Sequence, residues 1–197
     1  MRFFNLVSPA FAFIDRNLLP AYRESLMKLD LPSEWSVLDL ATGTGSLALA
    51  LAERGHHITG IDFAGRLLSK ARKRLPAADL REMDLVNLPE IPANSFDLVT
   101  MAYLLHGIPE EFRIFILRQA IRIAAQRVLI FDYPGPGPWY IRLIEAVEGP
   151  YYRSFVNRDT RAWLREKGFE LLKRGTASGH GGWWLLSPAG PHTDRLS

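Results

Sequence analysis

The sequence predicts an α/β fold, with short strands and helices alternating into a doubly wound open sheet, and three observations carry that expectation. Val37-Leu38-Asp39-Leu40-Ala41-Thr42-Gly43-Thr44-Gly45-Ser46 reads as a buried strand, a glycine turn and a helix start. Short apolar runs then alternate with helix-period segments as far as Asp132. Two last runs, Phe169 to Lys173 and Trp183 to Ser187, are placed to form a closing hairpin. At 197 residues, 48% hydrophobic and 23% charged, the chain suits one core, and 1–197 is expected to be a single domain.

In the first element, Val37, Leu38 and Leu40 are strand-like, and Gly43 and Gly45 bring backbone close to a ligand without intervening side chains. Ser46 through Ala52 is apolar with high helix propensity and closes towards Gly55. Strand, glycine loop and helix N-terminus together form a cradle of N–H groups. Gly43-Thr44-Gly45-Ser46-Leu47-Ala48 fits a dinucleotide fingerprint, and Asp62 follows Gly43 by 19 residues, about where a ribose-binding acid belongs. Asp39 argues against that reading. A carboxylate at the strand tip would face two phosphates at short range, whereas beside a sulfonium and an ammonium it is favourable.

Upstream, residues 3–29 carry the apolar positions of one or two amphipathic helices, broken near Pro9 and Pro20. They are expected either to cover the sheet or to act as a lid, so 1–32 reads as a helical cover. Downstream, His56 to Asp62 reads as the second strand and Ala64 to Leu75 as a helix packed through Leu67, Leu68, Ala71 and Leu75. Arg66, Lys70, Arg72, Lys73 and Arg74 are expected on its solvated face. Leu80 to Met83 and Phe96 to Met101 read as the third and fourth strands, and Asn94-Ser95 as a turn. Glu110 to Ala125 reads as a helix with Phe112, Phe115, Ile116, Gln119, Ala120 and Ile123 on its buried stripe, followed by a fifth strand from Arg127 to Asp132. Pro134 to Pro138 alternates proline and glycine and opens a variable segment, 134–160, with Trp139 to Glu148 helical and Tyr151, Tyr152 and Phe155 clustered. Asn157 or Asp159 caps a helix that ends at Gly168, His180-Gly181-Gly182 reads as the hairpin loop, and 188–197 as a flexible tail.

Asp39-Leu40-Ala41-Thr42-Gly43-Thr44-Gly45 resembles the first motif of class I S-adenosylmethionine-dependent methyltransferases, and the resemblance extends from about Ser36 to Tyr133. It implies a Rossmann-like, seven-stranded, mostly parallel sheet with an antiparallel last strand and helices on both faces. It also implies a cofactor site formed by Asp39, Ala41, Thr42, Gly43 and Gly45. Asp62 would accept from the ribose hydroxyls, Phe63 flank the adenine, and Asp84 take the adenine amine while the Leu85 N–H meets a ring nitrogen. Met101 and Ala102 would open the loop that holds the cofactor. Asn5-Leu6-Val7-Ser8-Pro9 is similar to the entry segment of small-molecule and of quinone or phospholipid methyltransferases.

Methyl transfer from a sulfonium demands alignment and a dry pocket rather than a triad or a metal, and no metal is expected. Where the nucleophile is a phenol or enol, a base helps. His106, after the fourth strand, is the first candidate, with Tyr103 next and Tyr151, Tyr152 and His180 behind them. The fourth strand is not followed by the Asn/Asp-Pro-Pro-Tyr/Phe run of enzymes that methylate exocyclic amines in nucleic acid. Aromatic residues crowd both variable segments, as an apolar or ring-bearing small acceptor requires. Nucleic acid is therefore not the expected partner, although an RNA methyltransferase, an NAD(P) oxidoreductase and a catalytically silent cofactor-binding subunit stay open. Net charge is only +3 and there is no cysteine, so disulfides and zinc–thiolate sites are excluded and a cytoplasmic location is expected. Arg2 and the apolar run after it faintly mimic a signal peptide, but Asn5, Ser8 and Pro9 interrupt it.

Overall fold

A computed structural model describes residues 18–136, 150–178 and 181–188. A helix over 18–27 (α1) precedes β1 (Ser36–Leu40), α2 (Ser46–Ala52), β2 (His57–Asp62), α3 (Gly65–Arg74), β3 (Asp79–Glu82) and β4 (Phe96–Ala102). Then come α4 (Glu110–Ile123), β5 (Ala124–Asp132), α5 (Pro150–Val156), α6 (Thr160–Glu166), β6 (Leu171–Ala177) and β7 (Gly181–Leu186). The seven strands form one sheet in the order β3-β2-β1-β4-β5-β7-β6, with β7 antiparallel to both of its neighbours and the other pairs parallel. The expected architecture is the observed one.

β1 lies near the middle of the sheet and is covered on both faces, which explains its almost unbroken apolar sequence. Val37 packs into one core with Tyr22 and Leu26 of α1, Leu47 and Leu51 of α2 and Leu68 of α3. Leu38 and Leu40 pack into the other, with Ile116 and Ile123 of α4, Phe155 of α5 and Trp163 of α6. Alternation along β1 therefore feeds two cores, one on each face of the sheet. Strand order reverses at β1, with β2 on one side and β4 on the other, so a crevice opens at the C-terminal ends of β1, β2 and β4.

Several boundaries differ from the sequence reading for identifiable reasons. α4 stops at Ile123 because Ala124 is already extended and pairs with Phe96, which lengthens β5 by three residues ahead of Arg127. Its fully enclosed stripe runs through Arg113, Ile116, Leu117, Ala120 and Ile123, whereas Phe112, Phe115 and Gln119 are half-buried at its flank. Gly181 and Gly182, expected in a loop, are strand residues of β7. A Cβ at Gly182 would stand 3.0 Å from the Pro134 ring, and one at Gly181 would collide with the Tyr103 hydroxyl. Asp159, not Asn157, caps α6, accepting from the backbone of Arg161 at 2.9 Å and Ala162 at 3.2 Å. Residues 3–17, Trp139 to Glu148, His180 and the tail from 189 lie outside the described residues. No helix among the described residues is long and apolar enough to cross a membrane.

His56 gives the fold a pH dependence. It is buried just before β2, and neither ring nitrogen has a hydrogen-bond partner among the described residues. Burial, followed by the charges of Arg54 and His57, pushes its pKa below the usual histidine value. The unfolded chain therefore takes up this proton first. The stability His56 confers is complete above about pH 6.5 and is lost as pH falls towards the folded-state pKa. Urea midpoints measured at about pH 7.5 and about pH 5 are expected to diverge less in His56→Leu than in the wild type. An unchanged divergence would assign the effect to other groups.

Candidate active site

The turn out of β1 is built from left-handed residues: Ala41, Gly43 and Gly45 have φ of 52°, 58° and 81°. Gly45 is required on steric grounds as well, since a Cβ there would meet Leu75 Cδ1 at 2.9 Å and Ala71 Cβ at 3.2 Å. A side chain there would press on α3 at Ala71 and on Leu75 just beyond it, besides being strained at φ 81°. Arg74 reaches back from α3 to the same loop, donating to the Thr44 carbonyl at 3.1 Å and the Ser46 hydroxyl at 2.9 Å. Arg72 donates to the Leu80 carbonyl at 2.9 Å. Two of the five basic residues expected on a solvated face thus tie α3 to its surroundings.

Two acids organise the crevice. Asp39 is 2% exposed and accepts from the hydroxyls of Thr42 and Thr100, each at 2.6 Å, so it ties the loop after β1 to β4. Asp62, at the tip of β2, accepts from the backbone N–H of Gly43 and of Ala64, each at 2.8 Å. Burial pushes the Asp62 pKa up, and those two N–H groups pull against it. Each Asp62 oxygen accepts one of these N–H groups and keeps a second lone pair for a ligand.

Beyond the tips of β2 and β3 the surface changes character. Phe63 is 43% exposed and Val86 55%, and Asp84 is exposed with its side chain accepting from the Val86 N–H at 3.1 Å. An exposed ring among apolar and acidic neighbours, beside two buried carboxylates, fits a nucleoside that carries positive charge. The Met101 and Leu85 side chains are enclosed in the core, so those residues can meet a ligand only through backbone. Ala102 is half-buried at the end of β4.

The second half of the site stands at the ends of β4 and β5. His106 lies in a 3-10 turn, Leu105–Gly107, and Asp132 ends β5 with no exposure. His106 Nδ1 is 2.8 Å from Asp132 Oδ1. Asp132 also accepts from the backbone of Leu105 at 2.9 Å, His106 at 3.3 Å and Tyr133 at 2.8 Å. Three tyrosine rings stand edge-on to the imidazole, with centroids 5.0 Å away for Tyr133, 6.0 Å for Tyr152 and 6.4 Å for Tyr103. Tyr103 itself is held at φ 49°, with its N–H on the Phe131 carbonyl at 2.7 Å, a conformation a bulky residue adopts only where its surroundings impose it. Burial and then Asp132 push the Tyr103 phenol far above its ordinary pKa, so it is a neutral donor.

Behind this cluster lies Arg113, fully buried on α4. Its Nε donates to the Leu105 carbonyl at 2.6 Å and its Nη2 to the Tyr151 carbonyl at 2.7 Å, and the guanidinium lies 5.1 Å from the Phe155 ring centre. The structure brings together His106, Tyr103 and Tyr152 from the sequence reading and adds Asp132, Tyr133 and Arg113. Asp132 carries the signal that marked Asp39 and Asp62, an acid at the tip of an apolar strand. Arg113 is the one charge on the apolar stripe of α4.

Residues 37–127 match the family model described as a methyltransferase domain. The demethylmenaquinone methyltransferase of Listeria welshimeri is 31% identical over 190 residues, covering 85% of this chain and 79% of that protein. Among solved structures, a SAM-dependent methyltransferase from Aquifex aeolicus superposes with a TM-score of 0.71 at 16% identity, covering 92% of this chain and 98% of that one. The magnesium protoporphyrin IX methyltransferase of Synechocystis PCC 6803, solved with bound S-adenosylhomocysteine, gives a TM-score of 0.63 at 18% identity, covering 89% and 83%. This chain belongs to the class I S-adenosylmethionine-dependent methyltransferases.

Proposed function

We propose that the chain methylates a small, apolar, ring-bearing acceptor at a carbon or oxygen that must lose a proton, and that His106 takes that proton. The observation that carries this reading is the imidazole enclosed by Tyr103, Tyr133 and Tyr152 and fixed at Nδ1 by Asp132. An apolar aromatic wall suits a planar acceptor, and a buried base suits a weakly acidic one. The kinship with demethylmenaquinone methyltransferases supports a reduced quinone or a related phenol as the acceptor class.

The cofactor supplies a methyl group already activated on sulfur. Asp39 would offset positive charge near the β1 tip, the loop from Ala41 to Gly45 would provide close backbone, and Asp62, which holds the Gly43 N–H, would accept from sugar hydroxyls. Phe63, Asp84 and the backbone of Leu85, Met101 and Ala102 would border the adenine. As the acceptor's O–H or C–H proton passes to His106, its electron pair forms the new bond to methyl, and the pair of the broken carbon–sulfur bond stays on the departing thioether. Tyr103, as a neutral phenol, can donate a hydrogen bond to an acceptor oxygen. A chain without cysteine needs no oxidising compartment, which supports a cytoplasmic place of work.

Two experiments test this. Isotope-labelled S-adenosylmethionine incubated with reduced naphthoquinones, phenols and bulk RNA is expected to label the ring compounds; label confined to RNA would replace the small-molecule reading. In calorimetry with S-adenosylhomocysteine, Asp62→Ala is expected to lose about 10-fold to 100-fold in affinity, through lost charge-assisted bonds and a loosened Gly43. Wild-type affinity in that variant would remove Asp62 from the binding site.

A further inference from the structure

We propose that Asp132 is a positioning residue for the transfer step, fixing His106 in the tautomer with the proton on Nδ1 and the lone pair on Nε2. The inference rests on the reading of His106 as the base and goes beyond it, because it states which nitrogen acts and what makes it act. A carboxylate has no donor, so whatever faces it must bring a proton. All four groups on Asp132 meet that condition. The backbone N–H groups of Leu105, His106 and Tyr133 are obligatory donors, and the fourth partner is Nδ1 of His106 at 2.8 Å. In a neutral imidazole a proton on Nδ1 leaves the acceptor lone pair on Nε2, the state a general base needs.

The same four bonds set the geometry. Oδ2 gathers the N–H groups of Leu105 and His106, and so holds the turn that carries the imidazole. Oδ1 receives the ring and the N–H of Tyr133, whose own ring stands 5.0 Å from it. The acid is wholly buried and fully engaged, so solvent cannot stand in for it. Once His106 is protonated, the adjacent carboxylate stabilises the imidazolium through a charge-assisted bond. Asparagine has the right shape and the wrong chemistry. With its oxygen towards the turn, its NH2 faces Nδ1 and drives the proton to Nε2. With its oxygen towards the ring, its NH2 opposes the two N–H groups of the turn.

The test begins with the wild-type chain. Nitrogen-15 correlation spectra of the histidine rings, assigned by comparison with His106→Gln, are expected to show His106 protonated at Nδ1 and bare at Nε2 near neutral pH. A proton on Nε2 would overturn the proposal without recourse to any Asp132 variant. Asp132→Asn is then expected to cut turnover by about 10²-fold or more, towards the ~10⁴ that a wrong tautomer costs elsewhere, with S-adenosylhomocysteine affinity within about twofold of wild type. Slow His106→Ala beside fast Asp132→Asn sinks the role of Asp132 alone. Wild-type turnover in His106→Ala sinks the base reading itself.

Discussion

Turnover is expected to fall by about 10²-fold or more when His106 becomes alanine, while the affinity for S-adenosylhomocysteine stays within about twofold of wild type. The split follows from where the side chain lies. The imidazole contacts Tyr103, Tyr133 and Tyr152 at the ends of β4 and β5, whereas the acids and glycines expected to bind the cofactor, Asp39, Gly43, Gly45, Asp62 and Asp84, cluster at the tips of β1 to β3, with only Met101 and Ala102 at the end of β4. Removing a proton acceptor acts on the barrier and leaves the nucleoside cradle intact. Tyr103 cannot replace it, because burial and the nearby Asp132 carboxylate hold its phenol protonated. A kcat loss with unchanged cofactor binding supports the base; loss of both would make His106 a packing residue, and no loss would free the reaction from it. The measurement is single-turnover kinetics with the acceptor identified by labelling, alongside calorimetry.

The parts of this molecule legible in the sequence are those whose physics is local. β1 is readable because a central strand covered on both faces must be apolar at nearly every position, which makes the acid at Asp39 conspicuous. The turn after it is readable because two glycines there lie in the left-handed region, and only Ala41 enters it without that advantage. Asp62 was legible as a strand-tip acid, but not as the group that holds Gly43, since that bond spans 19 residues and depends on the pairing of β1 with β2. The role of Asp132 is not legible, although Val128 to Phe131 before it is as apolar as β1, because its partners are a turn and an imidazole 26 residues upstream. Gly181 and Gly182 read as loop because glycine is a poor strand former. Their places in β7 are set by the side chains of Tyr103 and Pro134, which lie far away in sequence.

Arg113 shows the same limit most sharply, and its replacement by methionine is expected to destabilise the protein by about 3–6 kcal/mol, from two buried hydrogen bonds to a charged donor at about 1.5–3 kcal/mol each. A charge in a helix reads as solvent-facing, yet the residues three, four and seven further along, Ile116, Leu117 and Ala120, are fully enclosed, and Arg113 shares their stripe. Its guanidinium joins three pieces of chain that no strand pairing unites: α4 itself, the Leu105 carbonyl in the turn before His106, and the Tyr151 carbonyl in α5. Methionine fills comparable volume but supplies no donor, so both carbonyls lose their charge-assisted bonds and the Asp132 carboxylate loses a nearby cation. Lysine keeps the charge but not the planar fork that reaches both carbonyls, so Arg113→Lys is expected to recover only part of the loss. Urea unfolding gives the free energy, and limited proteolysis shows whether α5 is released first. Early cleavage near Tyr151 in an otherwise folded Arg113→Met protein would identify the arginine as the staple between α5 and the His106 turn. Wild-type stability and protection would show that the surrounding apolar contacts, with Phe155 and Tyr152 foremost, hold that helix without it.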